Sequence, residues 1–112
     1  MEGWRLEALR RLLFYSRQEA GMWVASTPER PNGVSERAWR QWETGAAPVP
    51  ADVSASICGL VKWRQEIITS GFATSTWVDT ADQWAEKHTL PLRYWRPYQS
   101  AIAAIQAARL SG

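Results

Sequence analysis

Glu36, Arg37, Arg40, Gln41 and Thr44 stand three and four residues apart, so a helix over this stretch carries all five on one side. Their types suit contact with a duplex. Arg presents two N–H groups to guanine, Gln pairs with adenine, Glu accepts from cytosine N4, and a Ser or Thr hydroxyl holds phosphate. Ala38, Trp39 and Trp42 fall on the opposite side as an apolar stripe. Ser35 is placed to N-cap the helix and Gly45 to close it in the left-handed conformation. A charged helical face is most often a solvated surface, and it is the register with these caps that singles this one out.

Other chemistry has little to stand on. His88 and Cys58 are single residues at unrelated positions, and a zinc site needs about four ligands. Asp79 and Asp82 flank the start of a helix and suit capping better than acid–base work. There is no nucleophile elbow, phosphate-binding glycine loop or dinucleotide fingerprint. Neither an enzyme nor a cofactor is expected.

The elements that must position the Glu36–Thr44 face follow from periodicity and caps. Leu6, Leu9, Leu12 and Leu13 predict a first helix from Trp4 to Tyr15, with Arg5, Arg10 and Arg11 on its flanks. Ser16 and Glu19 form a capping box that starts a second helix at Arg17. Its inner face is Ala20, Gly21 and Val24, where Gly21 lets another helix cross closely. Arg17 sits at the dipole end of that helix and faces outward. Thr27 to Gly33 is a stiff, proline-containing turn, longer than the usual three or four or so residues between paired helices, and it would lie against the sugar–phosphate backbone.

Beyond Gly45, a longer helix is predicted from Pro50 or Ala51 to Ser70, buried through Val53, Ile57, Leu60, Val61, Ile67 and Ile68, with Gly71 ending it. Thr76–Val78 and Leu92–Trp95 read as two short strands, Thr80 and Gln83 cap a helix through His88, and Pro97 opens a final helix over Tyr98–Leu110. That last helix is mostly Ala and Ile and must be covered on most sides. A share in a homodimer interface is expected for Trp95, Tyr98, Ala101, Ile102, Ile105 and Arg109. Trp4, Trp23, Trp63, Trp77, Trp84 and Trp95 are assigned to core or interface.

The stretch "VSERAWRQWETG" resembles the recognition helix of Cro/CI-type (XRE, lambda-repressor-like) helix-turn-helix proteins, with its capping Ser, its two buried positions and its Glu-x-Gly ending. The narrower pattern W-x-x-W-E-x-G-x-x-x-V-P, from Trp39 to Pro50, is similar to that of the anti-CRISPR-associated (Aca) transcriptional regulators and their uncharacterised enterobacterial relatives. The resemblance implies a mainly α, lambda-repressor-like bundle with a small C-terminal part of helices and two short strands. It also implies control of a small operon, often the regulator's own, in a phage or mobile element. The long Thr27–Gly33 turn departs from the pattern.

At 112 residues the chain is near the size where burial against a partner matters. A hydrophobic share of 46% argues against disorder, and no apolar run approaches the ~18 residues of a membrane span. Met1–Trp4 lacks the form of a secretory signal, so the cytoplasm is expected. The net charge of +2 is too small to indicate nucleic acid alone, although Lys62 and Lys87 are the only lysines and arginine suits planar recognition of guanine and phosphate.

Together these readings predict a DNA-binding unit over residues 1–70 and a dimerisation part over 71–112. Base contacts are expected from Arg37 and Gln41 first, then Glu36 and Arg40, with Arg17, Ser35 and Thr44 on phosphate. A twofold dimer then needs an inverted repeat in double-stranded DNA. Two other readings fit the residues: an antitoxin-like module whose C-terminal half wraps a protein partner, and an RNA-binding regulator whose exposed aromatics stack on unpaired bases.

Overall fold

The computed structural model describes residues 1–70 and 76–111. Among these residues six helices follow in order: α1 (Gly3–Leu12), α2 (Arg17–Glu19, continued by a π-helical turn over Ala20–Val24), α3 (Glu36–Thr44), α4 (Ala51–Ser70), α5 (Ala81–Lys87) and α6 (Trp95–Ser111). The fold is mainly α. Among the described residues the nearest thing to a strand is the isolated antiparallel bridge between Thr27 and Arg30.

The caps read from the sequence are in place. The Ser16 hydroxyl accepts from the Glu19 N–H at 3.1 Å while the Glu19 carboxylate accepts from the Ser16 N–H at 2.9 Å. Ser35 accepts from the Ala38 N–H, and Gly45 closes α3 at φ 82°, the left-handed region that costs glycine least. α4 spans Ala51–Ser70 as expected, burying Val53, Ile57 and Leu60, while Val61, Ile67 and Ile68 are half-buried. The expected end at Gly71 lies outside the described residues.

Gly21 has the packing reason its cost demands. A β-carbon there would lie 2.6 Å from the Val34 carbonyl oxygen, and the Val34 N–H donates to the Gly21 carbonyl at 2.8 Å. The chain entering α3 therefore rests directly on the backbone of the second helix.

Three expectations are corrected. α1 ends at Leu12 rather than Tyr15, because Phe14 turns into the left-handed region at φ 67° and the Tyr15 N–H reaches back to the Arg10 carbonyl. Neither short strand forms. In the first, Thr76–Val78 have no strand pairing, and the Val78 carbonyl accepts from two side chains, Trp95 Nε1 and Gln99 Nε2, each at 2.9 Å. Leu92–Tyr94 is instead a 3₁₀ turn closed by the Tyr94 N–H on the Pro91 carbonyl. Its end runs straight into α6, which begins at Trp95, so that Pro97 falls in the first turn where no N–H is needed.

Two groups of buried side chains hold the helices together. Leu6, Leu13, Val24, Trp39, Val53 and Ile57 are among the fully buried residues of the larger, under α1–α4. Val78, Trp84 and Trp95 centre the smaller, and Trp23 and Tyr94 pack against both. Trp23 meets Tyr15 and Trp95 edge-on, with ring centroids 6.5 and 6.2 Å apart. α6 also lies along α4, where Arg64 Nε donates to Ser100 Oγ at 2.7 Å. No described helix is long and apolar enough to cross a membrane.

Candidate nucleic-acid interface

The sequence-predicted face of α3 is brought together as one surface. Glu36, Arg37, Arg40, Gln41 and Thr44 are all exposed and line a single open hollow of roughly 500 Å³. Among the described residues, neither guanidinium has a carboxylate within 4 Å or an intramolecular hydrogen bond of its own, and the Gln41 amide is likewise uncommitted. Ser35 stands exposed at the head of the helix, its oxygen accepting the cap bond and its O–H still available to donate. Long polar side chains without internal partners can turn to meet base edges and phosphates.

The opposite side is fixed. Trp39 and Trp42 are buried edge to face, with centroids 5.7 Å apart. Between them and the neighbouring helices lies Glu43, its side chain only 1% exposed. One carboxylate oxygen accepts from Arg10 Nε at 2.6 Å and from Trp39 Nε1 at 2.5 Å, and the other from Arg17 Nε at 2.9 Å. Burial alone would raise the Glu43 carboxyl, but the bonds from Arg10, Trp39 and Arg17 outweigh it and hold the group below the ordinary carboxylate range. The bond to Glu43 in turn raises the Arg17 guanidinium. A single carboxylate thus ties α1, α2 and α3 in one geometry.

This clamp corrects one reading. Arg10 is buried rather than flanking, and it also donates to the Tyr15 carbonyl at 3.1 Å. Glu43 bonds three side chains, those of Arg10, Arg17 and Trp39. The missed signal was Arg10 itself, a guanidinium on the Leu6 and Leu13 side of α1 that could not be buried without a carboxylate facing it. Arg17 remains at the head of α2, half-buried against Glu43, with Glu7 3.9 Å away.

The long turn is structured. Thr27 and Arg30 exchange backbone bonds, and both side chains reach Asp52 in the first turn of α4. The hydrogen bond from Thr27, with that from Arg30, lowers the Asp52 carboxyl against the opposing effect of burial. The turn is thereby fastened to α4.

The residues expected at a dimer surface divide. Trp95, Ala101 and Ile102 are buried within the protomer, so they cannot offer area to a second copy. Tyr98 and Ile105 are half-buried and Arg109 is exposed, with Leu110 beside it 91% exposed. Of the six tryptophans assigned to core or interface, Trp84 and Trp95 are buried and Trp23 and Trp63 partly so, whereas Trp4 and Trp77 stand largely exposed.

α2 and α3, meeting through Gly21 with the second of them presenting an unpaired polar side, form the pair that defines helix-turn-helix proteins of the lambda-repressor-like class. Within that class the chain belongs to the Aca2/YdiL-like family, whose sequence model matches residues 1–111. It is also similar to "Uncharacterized protein YdiL" of Escherichia coli (strain K12), at 28% identity over 117 residues covering 96% of this chain and 94% of the relative. The family is of the regulator type rather than an enzyme family.

Proposed function

We propose that the protein is a sequence-specific transcriptional repressor that binds an inverted-repeat operator as a homodimer and autoregulates a small operon of the anti-CRISPR type. The observation that carries this is the asymmetry of α3. Its inner side is immobilised by Trp39, Trp42 and Glu43, while the outer side chains of base-reading type, Glu36, Arg37, Arg40 and Gln41, have no side-chain partner among the described residues.

In this reading residues 1–70 are the DNA-binding unit, and residues 71–112 complete it and supply the dimer contact. α3 lies in the major groove, where Arg37 and Gln41 are the main base readers and Glu36 and Arg40 the secondary ones. Arg17, Ser35 and Thr44 hold phosphates and set the register. A second copy docks along α6 on what the protomer leaves uncovered of Tyr98, Ile105 and Arg109. The two recognition helices then meet one face of the duplex about 34 Å apart, or a multiple of that. Membership of the Aca2/YdiL-like family supports a regulator.

The test is a mobility-shift titration on the duplex upstream of the protein's own gene, at fixed and near-physiological salt. Saturable binding of one dimer, abolished when either half of the repeat is scrambled, is the expected result. Weak binding indifferent to sequence would remove the role assigned to α3.

A further inference from the structure

We infer that the outer side of α1, centred on Trp4 and Arg11, is a second DNA-contacting surface that grips the sugar–phosphate backbone flanking each half-site. The inference rests on the reading of α3 given above.

Trp4 is the most exposed aromatic of the chain's first half, at 63%, although an indole is costly to leave in water. With Glu7, Ala8 and Arg11 it lines an open hollow of roughly 320 Å³. These four residues follow at i, i+3, i+4 and i+7, so they form one stripe along the helix. Two contacts place the stripe beside the proposed interface. At its start, Gly3 packs so closely on the end of α3 that a β-carbon there would lie 2.5 Å from the Trp42 carbonyl oxygen. At its middle, Glu7 lies 3.9 Å from Arg17, the residue assigned to phosphate. The stripe therefore starts beside the C-terminal end of α3 and passes next to Arg17.

The chemistry fits a polyanionic, ribose-bearing edge. The Arg5 guanidinium lies 5.2 Å from the Trp4 ring centroid, which leaves the other indole face and the Nε1 donor open. A deoxyribose packs on such a face, and a phosphate oxygen accepts from such a donor. Arg5 and Arg11 are held by Glu2 and Glu7, each at 2.8 Å. Both pairs are exposed and close in sequence, hence weak, so the guanidiniums are free to turn to phosphate. Arg17 stands beside the stripe as a third guanidinium, itself bonded to Glu43.

The experiment compares wild type, Trp4→Ala, Arg11→Ala and Arg37→Ala on two duplexes: one ending at the half-sites and one with native flanks, each over a salt series. Trp4→Ala is expected to weaken binding to the flanked duplex about fivefold or more, leaving the ratio of operator to scrambled sequence unchanged. Arg11→Ala is expected to lower the salt slope by about one. The trimmed duplex is expected to show neither effect, and Trp4→Phe to restore most of the affinity. Wild-type binding by both α1 variants, with Arg37→Ala impaired, would overturn the α1 surface and leave the α3 reading standing. A change in oligomeric state without a change in affinity would assign the stripe to a second copy and also overturn it. A wild-type protein indifferent to sequence would overturn both.

Discussion

The two sides of α3 use charge in opposite ways. Inside, Glu43 has every bond it can make, to Arg10, Arg17 and Trp39, and that closure holds three helices in one arrangement. Outside, the Arg37, Arg40 and Gln41 side chains have no such bonds among the described residues. A buried charge is tolerable only when paired, whereas an exposed one left free is available to a ligand. The inner side accordingly governs stability and the outer side governs binding, and substitutions on the two sides should affect different measurements.

The largest effect is expected from Glu43→Ala, which strands the Arg10 guanidinium and the Trp39 N–H in the core. Losing one partner of a buried pair costs about 3–5 kcal/mol, against a total of about 5–15 kcal/mol for a domain. Denaturant unfolding should show a loss of that order, and a loss below about 1 kcal/mol would mean the clamp is incidental. Next is Gly21→Ala, where the new methyl meets the Val34 carbonyl. About 1–3 kcal/mol of stability should be lost by the same measurement, with operator binding weakened because α2 and α3 are forced apart.

Arg37→Ala should leave stability within about 0.5 kcal/mol of wild type yet cost about 1–3 kcal/mol of operator affinity and relax preference at one base pair. Arg17→Ala sharpens the comparison because Arg17 belongs to both sides. It should weaken all sequences alike, lessen the salt slope, and also lower stability through the lost bond to Glu43. The smallest effect concerns pH. Glu43 is held below its ordinary range, so its contribution is fully present above that range and is lost as pH falls through the depressed value. Acid unfolding of Glu43→Gln should therefore be flatter at the low-pH end than that of wild type.

How much of this was legible in the sequence depended on what decides each element. Where a cap decides, as at Ser16, Ser35, Thr80 and Gly45, local chemistry suffices and the boundaries fall where they were read. The outer face of α3 was legible for the same reason, since helical spacing alone places those side chains together. Contacts distant in sequence decided the rest. Thr76–Val78 has a strand-like pattern, but the Val78 carbonyl is taken by Trp95 and Gln99 from α6, and no local pattern announces a partner so far along the chain. Arg96 is a similar case: it bonds the capping-box Glu19 at 3.0 Å across most of the chain, so α6 grips the head of α2. Helical apolarity points to α6 as a dimer surface, but Ala101 and Ile102 are apolar because the protomer itself covers them.

The central claim is that the free side of α3 reads sequence. Its most direct test is the affinity of wild type and Arg37→Ala for the upstream inverted repeat and for single-base-pair variants of it, at one salt concentration. Wild type is expected to discriminate at the contacted position and Arg37→Ala to lose discrimination there alone, with unchanged stability. Equal discrimination by both proteins at every position would contradict it.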